Sequence, residues 1–207
     1  MSYTIRNTSP VGQYLPYYMK SPTGINNAIL GNTPQGENIG MTGADVLFNC
    51  VGYSVGRCCE MWNEEQGTIA NPTNPFNIFA PYNAEEWYNV AVSNGYNVGA
   101  VPQNGAVGVY TDGSIGHVCN VEYYDSSAGL WMISESHYWY DYQQGRVDHG
   151  SWDFSFLNPL NLKPYFIAND STWQLIGFIY PFGSVPPTPI PSGMMMAVRR
   201  RRRRRIF

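Results

Sequence analysis

Val51, Val55, Cys58 or Cys59 and Trp62 recur three to four residues apart. That spacing lines up side chains on one side of a helix, so it predicts an amphipathic α-helix over 50–65. Asn49 is a suitable N-cap for it. A second helix is predicted over 84–93, with acidic Glu85 and Glu86 at its start and Asn94 and Gly95 at its end. The stretch 68–83 between them, punctuated by Pro72 and Pro75, reads as a long loop.

Beyond residue 100 the period changes to two. Strands are predicted over 106–110, 117–124, 130–136 and 172–180, with turns at 111–116 and 125–129. The second and third make an antiparallel hairpin. Alternation sets His117, Cys119, Val121 and Tyr123 on one face, and Trp131, Ile133, Glu135 and His137 on one face of the next strand. The hairpin makes His117 and Glu135 neighbours across the ladder. Residues 1–40 read as loop and short turns, with Tyr14, Tyr17 and Tyr18 packed on the body. Residues 150–170 read as irregular and aromatic. Residues 185–193, with Pro186, Pro187, Pro189 and Pro191, read as a semi-rigid linker. Helices before a run of antiparallel strands place the chain in the α+β class.

The chain has 207 residues, enough for one domain with a core of its own. Its net charge of −3 conceals an asymmetry, because seven of the twelve basic residues are Arg199 to Arg205. Five basic against fifteen acidic residues leave the rest near −10. By charge that body is not a nucleic-acid binder. The arginine run is read as a contact for an anionic surface: wall polymer, membrane or nucleic acid. No segment has the apolar length of a transmembrane helix. The first residues lack the apolar stretch of a signal peptide, so the chain is expected to be made in the (host) cytoplasm. The four cysteines lack zinc spacing and are expected to be reduced.

Three residues carry candidate chemistry. Cys50 falls in the first turn of the predicted helix, where unpaired backbone N–H groups favour thiolate. His117 begins a strand beside Gly116, which leaves space at its flank. Glu135 ends the partner strand. A thiol, an imidazole and a carboxylate can form a nucleophile, its base and the group that orients the base. Cys58, Cys59 and Cys119 are read as core, and His149 as a turn residue. No His, Cys or Asp cluster has metal-ligand spacing, and Asp45 alone near Cys50 is too little oxygen for calcium. No metal and no cofactor is expected.

The order and setting of these residues resemble the CHAP domain, the cysteine- and histidine-dependent amidohydrolase/peptidase of phage lysins and bacterial wall hydrolases. Residues 49–57 resemble the family's nucleophile helix, with Tyr53 three residues past Cys50 and Arg57 further on. Residues 83–87 and 94–99 resemble its second helix and exit. Residues 102–110 with 116–122 resemble the strand pair that delivers the histidine, 133–138 the segment that delivers the acidic residue, and 174–180 the closing strand. The likeness spans residues 40–182.

The resemblance implies a papain-like fold, with N-terminal helices packed on an antiparallel sheet, and hydrolysis of amide bonds in peptidoglycan. It makes Cys50 the nucleophile, His117 the base and Glu135 the orienting group. His137 stands where the family commonly has Asn, as a fourth catalytic candidate. Asn49, Tyr53, Gly116 and Tyr138 are the candidate substrate contacts. The expected organisation is an extension over 1–39, the CHAP-like domain over 40–182, and a linker with arginine tail over 183–207. The expected function is that of a phage endolysin or virion-associated lysin, acting at the bacterial wall after lysis-linked release or as a virion component. The alternative is a non-catalytic virion structural or wall-binding protein that keeps a degenerate hydrolase fold.

Overall fold

A computed structural model describes residues 3–8, 10, 12–18, 25–28, 49–136 and 152–183. It is α+β: a central helix lies against a six-stranded antiparallel sheet. Helix α1 is one turn, Leu15–Tyr18; α2 is Cys50–Gln66; α3 is Trp87–Ser93. The strands are β1 (Asn97–Gly99), β2 (Val107–Thr111), β3 (Gly116–Asp125), β4 (Leu130–Ser136), β5 (Trp152–Phe156) and β6 (Gln174–Tyr180), in the spatial order β1-β6-β2-β3-β4-β5.

Helix α2 begins where the sequence predicts. The Asn49 side-chain oxygen accepts the Gly52 N–H at 2.6 Å, which satisfies one of the orphan donors of the first turn. At the other end Gly67 adopts a left-handed conformation (φ 66°), and its N–H turns back onto the carbonyls of Asn63 and Glu64. The predicted apolar stripe is present, but α2 is buried almost all the way round. Val51, Val55, Cys58 and Cys59 share one core cluster with Val107, Val109, Val118 and Ile179 of the sheet. Tyr17 and Tyr18 of α1 belong to the same cluster.

Burying the polar residues of α2 requires partners. Arg57 donates to Glu122 of β3 through Nε and Nη2, each at 2.8 Å. Glu122 also accepts the Ser134 hydroxyl at 2.6 Å and the Arg6 N–H at 3.1 Å. Glu60 pairs with Arg6 and accepts the Tyr18 hydroxyl at 2.5 Å. Burial works against the Arg57 charge, but Glu122 and Glu60 more than offset it and hold the guanidinium ionised. Residues 3–6 belong to this network: the Thr4 carbonyl accepts from Arg57 at 2.6 Å, and the Tyr3 hydroxyl donates to the Glu122 carbonyl at 2.7 Å.

Two differences from the sequence expectation bear on the site. The second helix starts as a 3-10 turn, Ala84–Glu86, with the Glu86 carboxylate reaching back to the Asn83 N–H at 2.9 Å, before it relaxes into α3. The stretch read as irregular over 150–170 contains β5, which pairs with β4 along its whole length. A second core cluster, on β2, β3, β4 and β6, holds Tyr110, Cys119, Val121, Ile133 and Phe178 together with Leu157 and Ile167.

Candidate active site

Cys50 is the first residue of α2 and a free, partly buried thiol. The backbone N–H groups of that turn are not all used by the helix, and the positive end of the helix dipole lies there. His117 is the second residue of β3 and 5% exposed. Glu135, near the end of β4, has no exposure at all. The β3–β4 register pairs Asn120 with Ser134 and Val121 with Ile133. Continued by one residue, it sets Glu135 opposite Cys119 and diagonal to His117. The His117 Nε2 lies 2.7 Å from Glu135 Oε2.

The imidazole is thus held between two groups. Nε2 faces the carboxylate, which leaves the Nδ1 side of the ring for Cys50. Burial alone would discharge this histidine; hydrogen bonds with Cys50 and Glu135, and their charges, outweigh it and push its pKa up to about 9. The ring is an imidazolium at neutral pH. The walls are aromatic: Phe166 meets the imidazole edge-on with centroids 5.0 Å apart, and Tyr110, its cross-strand partner, lies at 6.4 Å. The second oxygen of Glu135 accepts the Ser155 hydroxyl at 3.1 Å, from β5.

The other three cysteines sit in different surroundings. Burial pushes the Cys58 thiol up to about 12, and raises those of Cys59 and Cys119 as well. Cys58 accepts from Asn120 Nδ2 at 3.4 Å and Cys59 donates to the Thr73 carbonyl at 2.8 Å. All three are buried. Of the four cysteines, Cys50 alone is partly exposed.

No protein-family model and no curated protein matches the chain. A crystal structure of an N-acetylmuramoyl-L-alanine amidase from Staphylococcus aureus is similar to it at 20% identity and a TM-score of 0.37. The likeness covers 66% of this chain and 33% of that one, so the chain spans about a third of its length.

The structure brings Cys50, His117 and Glu135 together, with Asn49 and Gly116 as the chain neighbours of the first two. Tyr53 is 2% exposed and packs on Tyr18 with ring centroids 5.4 Å apart; it is a core residue, because α2 is covered on that side by α1. The Asn49 oxygen is engaged in capping α2. The space expected beside Gly116 is filled: a Cβ there would fall 2.1 Å from the Glu85 nitrogen, so the glycine admits the 84–86 turn. His137 and Tyr138 lie outside the described residues, as do His149, Asp45 and the arginine run.

Sequence reasoning missed Ser155, Phe166 and Tyr110 as neighbours of the site. The alternation over 152–156 was the available signal for the first. The other two required the tertiary arrangement. Among the described residues no three His, Cys, Asp or Glu side chains gather so as to hold a metal ion, and no helix is long and apolar enough to cross a membrane.

Proposed function

We propose that this chain is a cysteine-dependent hydrolase of peptidoglycan amide bonds, an amidase or endopeptidase of the CHAP type, employed as a phage endolysin or virion-borne lysin. The observation that carries the reading is the contact series Cys50, His117, Glu135: a thiol at a helix N-terminus, hydrogen-bonded to an imidazole whose far nitrogen meets a buried carboxylate. The wall as substrate rests on the resemblance of the sequence motifs around those three residues.

The chemistry follows from the geometry. With the proton held on the His117 ring, the Cys50 sulfur attacks the amide carbonyl to form a C–S bond. Charge developing on the carbonyl oxygen is met by backbone N–H groups of the first turn of α2. His117 returns a proton to the leaving nitrogen as the C–N bond breaks, and a water deprotonated by the same ring then releases the acid from the thioester. Glu135 holds the ring aimed and stabilises its charge throughout. The Arg199–Arg205 run serves as an electrostatic contact for an anionic surface near the substrate.

The test is mass spectrometry of purified peptidoglycan digested with the wild type and with Cys50→Ala. New amino termini that disappear with Cys50→Ala are the expected result, and their position identifies the bond. The absence of fragments from either protein, over several wall types, would reject the reading.

A further inference from the structure

Glu135 presents two carboxylate oxygens in a site without water-exposed surface on its own side chain. One, Oε2, meets the imidazole at 2.7 Å; the other, Oε1, receives the Ser155 hydroxyl at 3.1 Å. The two bonds come from different strands. The β4–β5 register pairs Ile133 with Ser155 and Glu135 with Asp153. Directly opposed residues point to the same face, so Ser155 stands on the Glu135 face, diagonal to it.

The imidazole itself has little freedom. Phe166 stands edge-on to it and Tyr110 lies beside it from β2. Tyr110 is in turn fixed by its hydroxyl, which donates to the Leu162 carbonyl at 2.8 Å. Rotation of the Glu135 carboxylate about its last bond is a broad torsion with weak intrinsic preference. A donor on Oε1 fixes that torsion. It also supplies a hydrogen bond to the charged form of a fully buried acid, which otherwise favours protonation.

We infer that Ser155 is a positioning residue: its hydroxyl orients the Glu135 carboxylate and, through it, aims the His117 ring at Cys50. The inference rests on the thiol–imidazole–carboxylate reading given above. Ser155 touches neither the nucleophile nor the ring. Its action passes through the carboxylate, as with the outer partners that set ligand orientation in other preorganised sites. It also gives β5 a place in the site.

The test needs no wall substrate. Ser155→Thr and Ser155→Val are nearly equal in size and differ by the hydroxyl, with Ser155→Ala as the smaller variant should Val fail to fold. Two quantities are followed across pH on the full chain: the His117 Cε1–H titration by NMR, and the rate of Cys50 alkylation by iodoacetamide. The groups that can affect the titration are Cys50 from α2, Tyr110 from β2, Cys119 on β3, Glu135 from β4, and Glu85, which packs on Gly116. The expected result is a lower titration midpoint and about tenfold slower alkylation at neutral pH in the Val or Ala variant, the loss of one hydrogen bond to a charged group. Thr retains wild-type behaviour.

Superimposable profiles for wild type and the hydroxyl-less variants would overturn the inference, and so would Thr and Val shifting together, which would assign the effect to size. Failure of the broader reading looks different. Wild-type alkylation that ignores the His117 titration would remove the imidazole–thiol pair itself, and intact pairing without wall cleavage would reject only the substrate.

Discussion

The Nε2 of His117 stands 2.7 Å from Oε2 of Glu135, and the two residues are joined by the β3–β4 hairpin. Burial opposes the imidazolium, yet the Cys50 and Glu135 interactions raise its pKa from 6.5 to about 9. The folded value lies above the unfolded one. The protonated ring therefore stabilises the fold fully below about pH 6.5, and that contribution is lost as pH rises through 9. Urea midpoints of the wild type should fall across this window relative to those of His117→Gln. A wild-type midpoint that rises relative to the variant over the same window would contradict the assigned ion pair.

The thiols should separate cleanly by reactivity. Cys50 is partly exposed at a helix start, whereas Cys58, Cys59 and Cys119 are buried with raised pKa values. Iodoacetamide on the native protein should give one adduct, mapped by mass spectrometry to Cys50, and four only in denaturant. Labelling of Cys58 or Cys119 at a comparable native rate would show that the core around α2 opens readily.

The pattern of the chain was enough to place Cys50 at the start of a helix, and the reason is local. Asn49 and the stripe from Val51 to Trp62 define where α2 starts, hence where Cys50 sits. Strict alternation outward from the Asp125–Leu130 pair would set Glu135 opposite Asn120, on the other face from His117. What alternation could not reveal was the bulge between Val121 and Tyr123, which shifts the register by one residue and brings Glu135 onto the His117 face. The polar residues of α2 were harder to read. Nothing in the sequence pattern joins Arg57 to Glu122, 65 residues away, whose carboxylate together with Glu60 makes burial of Arg57 tolerable. Tyr53, a candidate substrate contact by resemblance, lies in the core under α1, a segment with no strong periodic signal. Five residues of β5 were too few to stand out among the aromatics of 150–170.

Gly116 offers a test of how tightly the site is bounded. A Cβ there would lie 2.1 Å from the Glu85 nitrogen and 2.8 Å from the Ala84 carbonyl carbon, and backbone cannot swing aside as a side chain can. Gly116→Ala should cost about 1–3 kcal/mol by overpacking. The strand start must move, and His117 is the next residue. Cys50 alkylation should slow and lose its dependence on the His117 titration. Wild-type stability together with wild-type alkylation would mean that the 84–86 turn yields easily.

The Arg199–Arg205 run lies outside the described residues but carries seven charges in a body near −10. Deleting residues 194–207 should weaken sedimentation with purified walls at low salt, with the difference vanishing as salt screens the contact. Equal binding at low salt would reject a role for the tail.

Arg57 and Glu122 give the sharpest stability prediction. Neither side chain has any exposure, and Nε and Nη2 each donate to a carboxylate oxygen at 2.8 Å. The third nitrogen, Nη1, approaches Glu60 Oε1 at 3.1 Å without the alignment of a hydrogen bond, so it contributes charge contact more than direction. Arg57→Met would leave Glu122 and Glu60 buried against one remaining cation, Arg6. Breaking a buried pair from one side costs about 3–5 kcal/mol, because the partner's charge is stranded. Glu122→Gln keeps the shape and the acceptor for Ser134, so it should cost less. Combining the two removes the stranded charge, and the double variant should be more stable than Arg57→Met alone. Chemical denaturation of the three proteins measures this coupling directly. An Arg57→Met cost below about 1 kcal/mol, the scale of an exposed pair, would mean that water reaches the network and that residues 3–6 do not seal it.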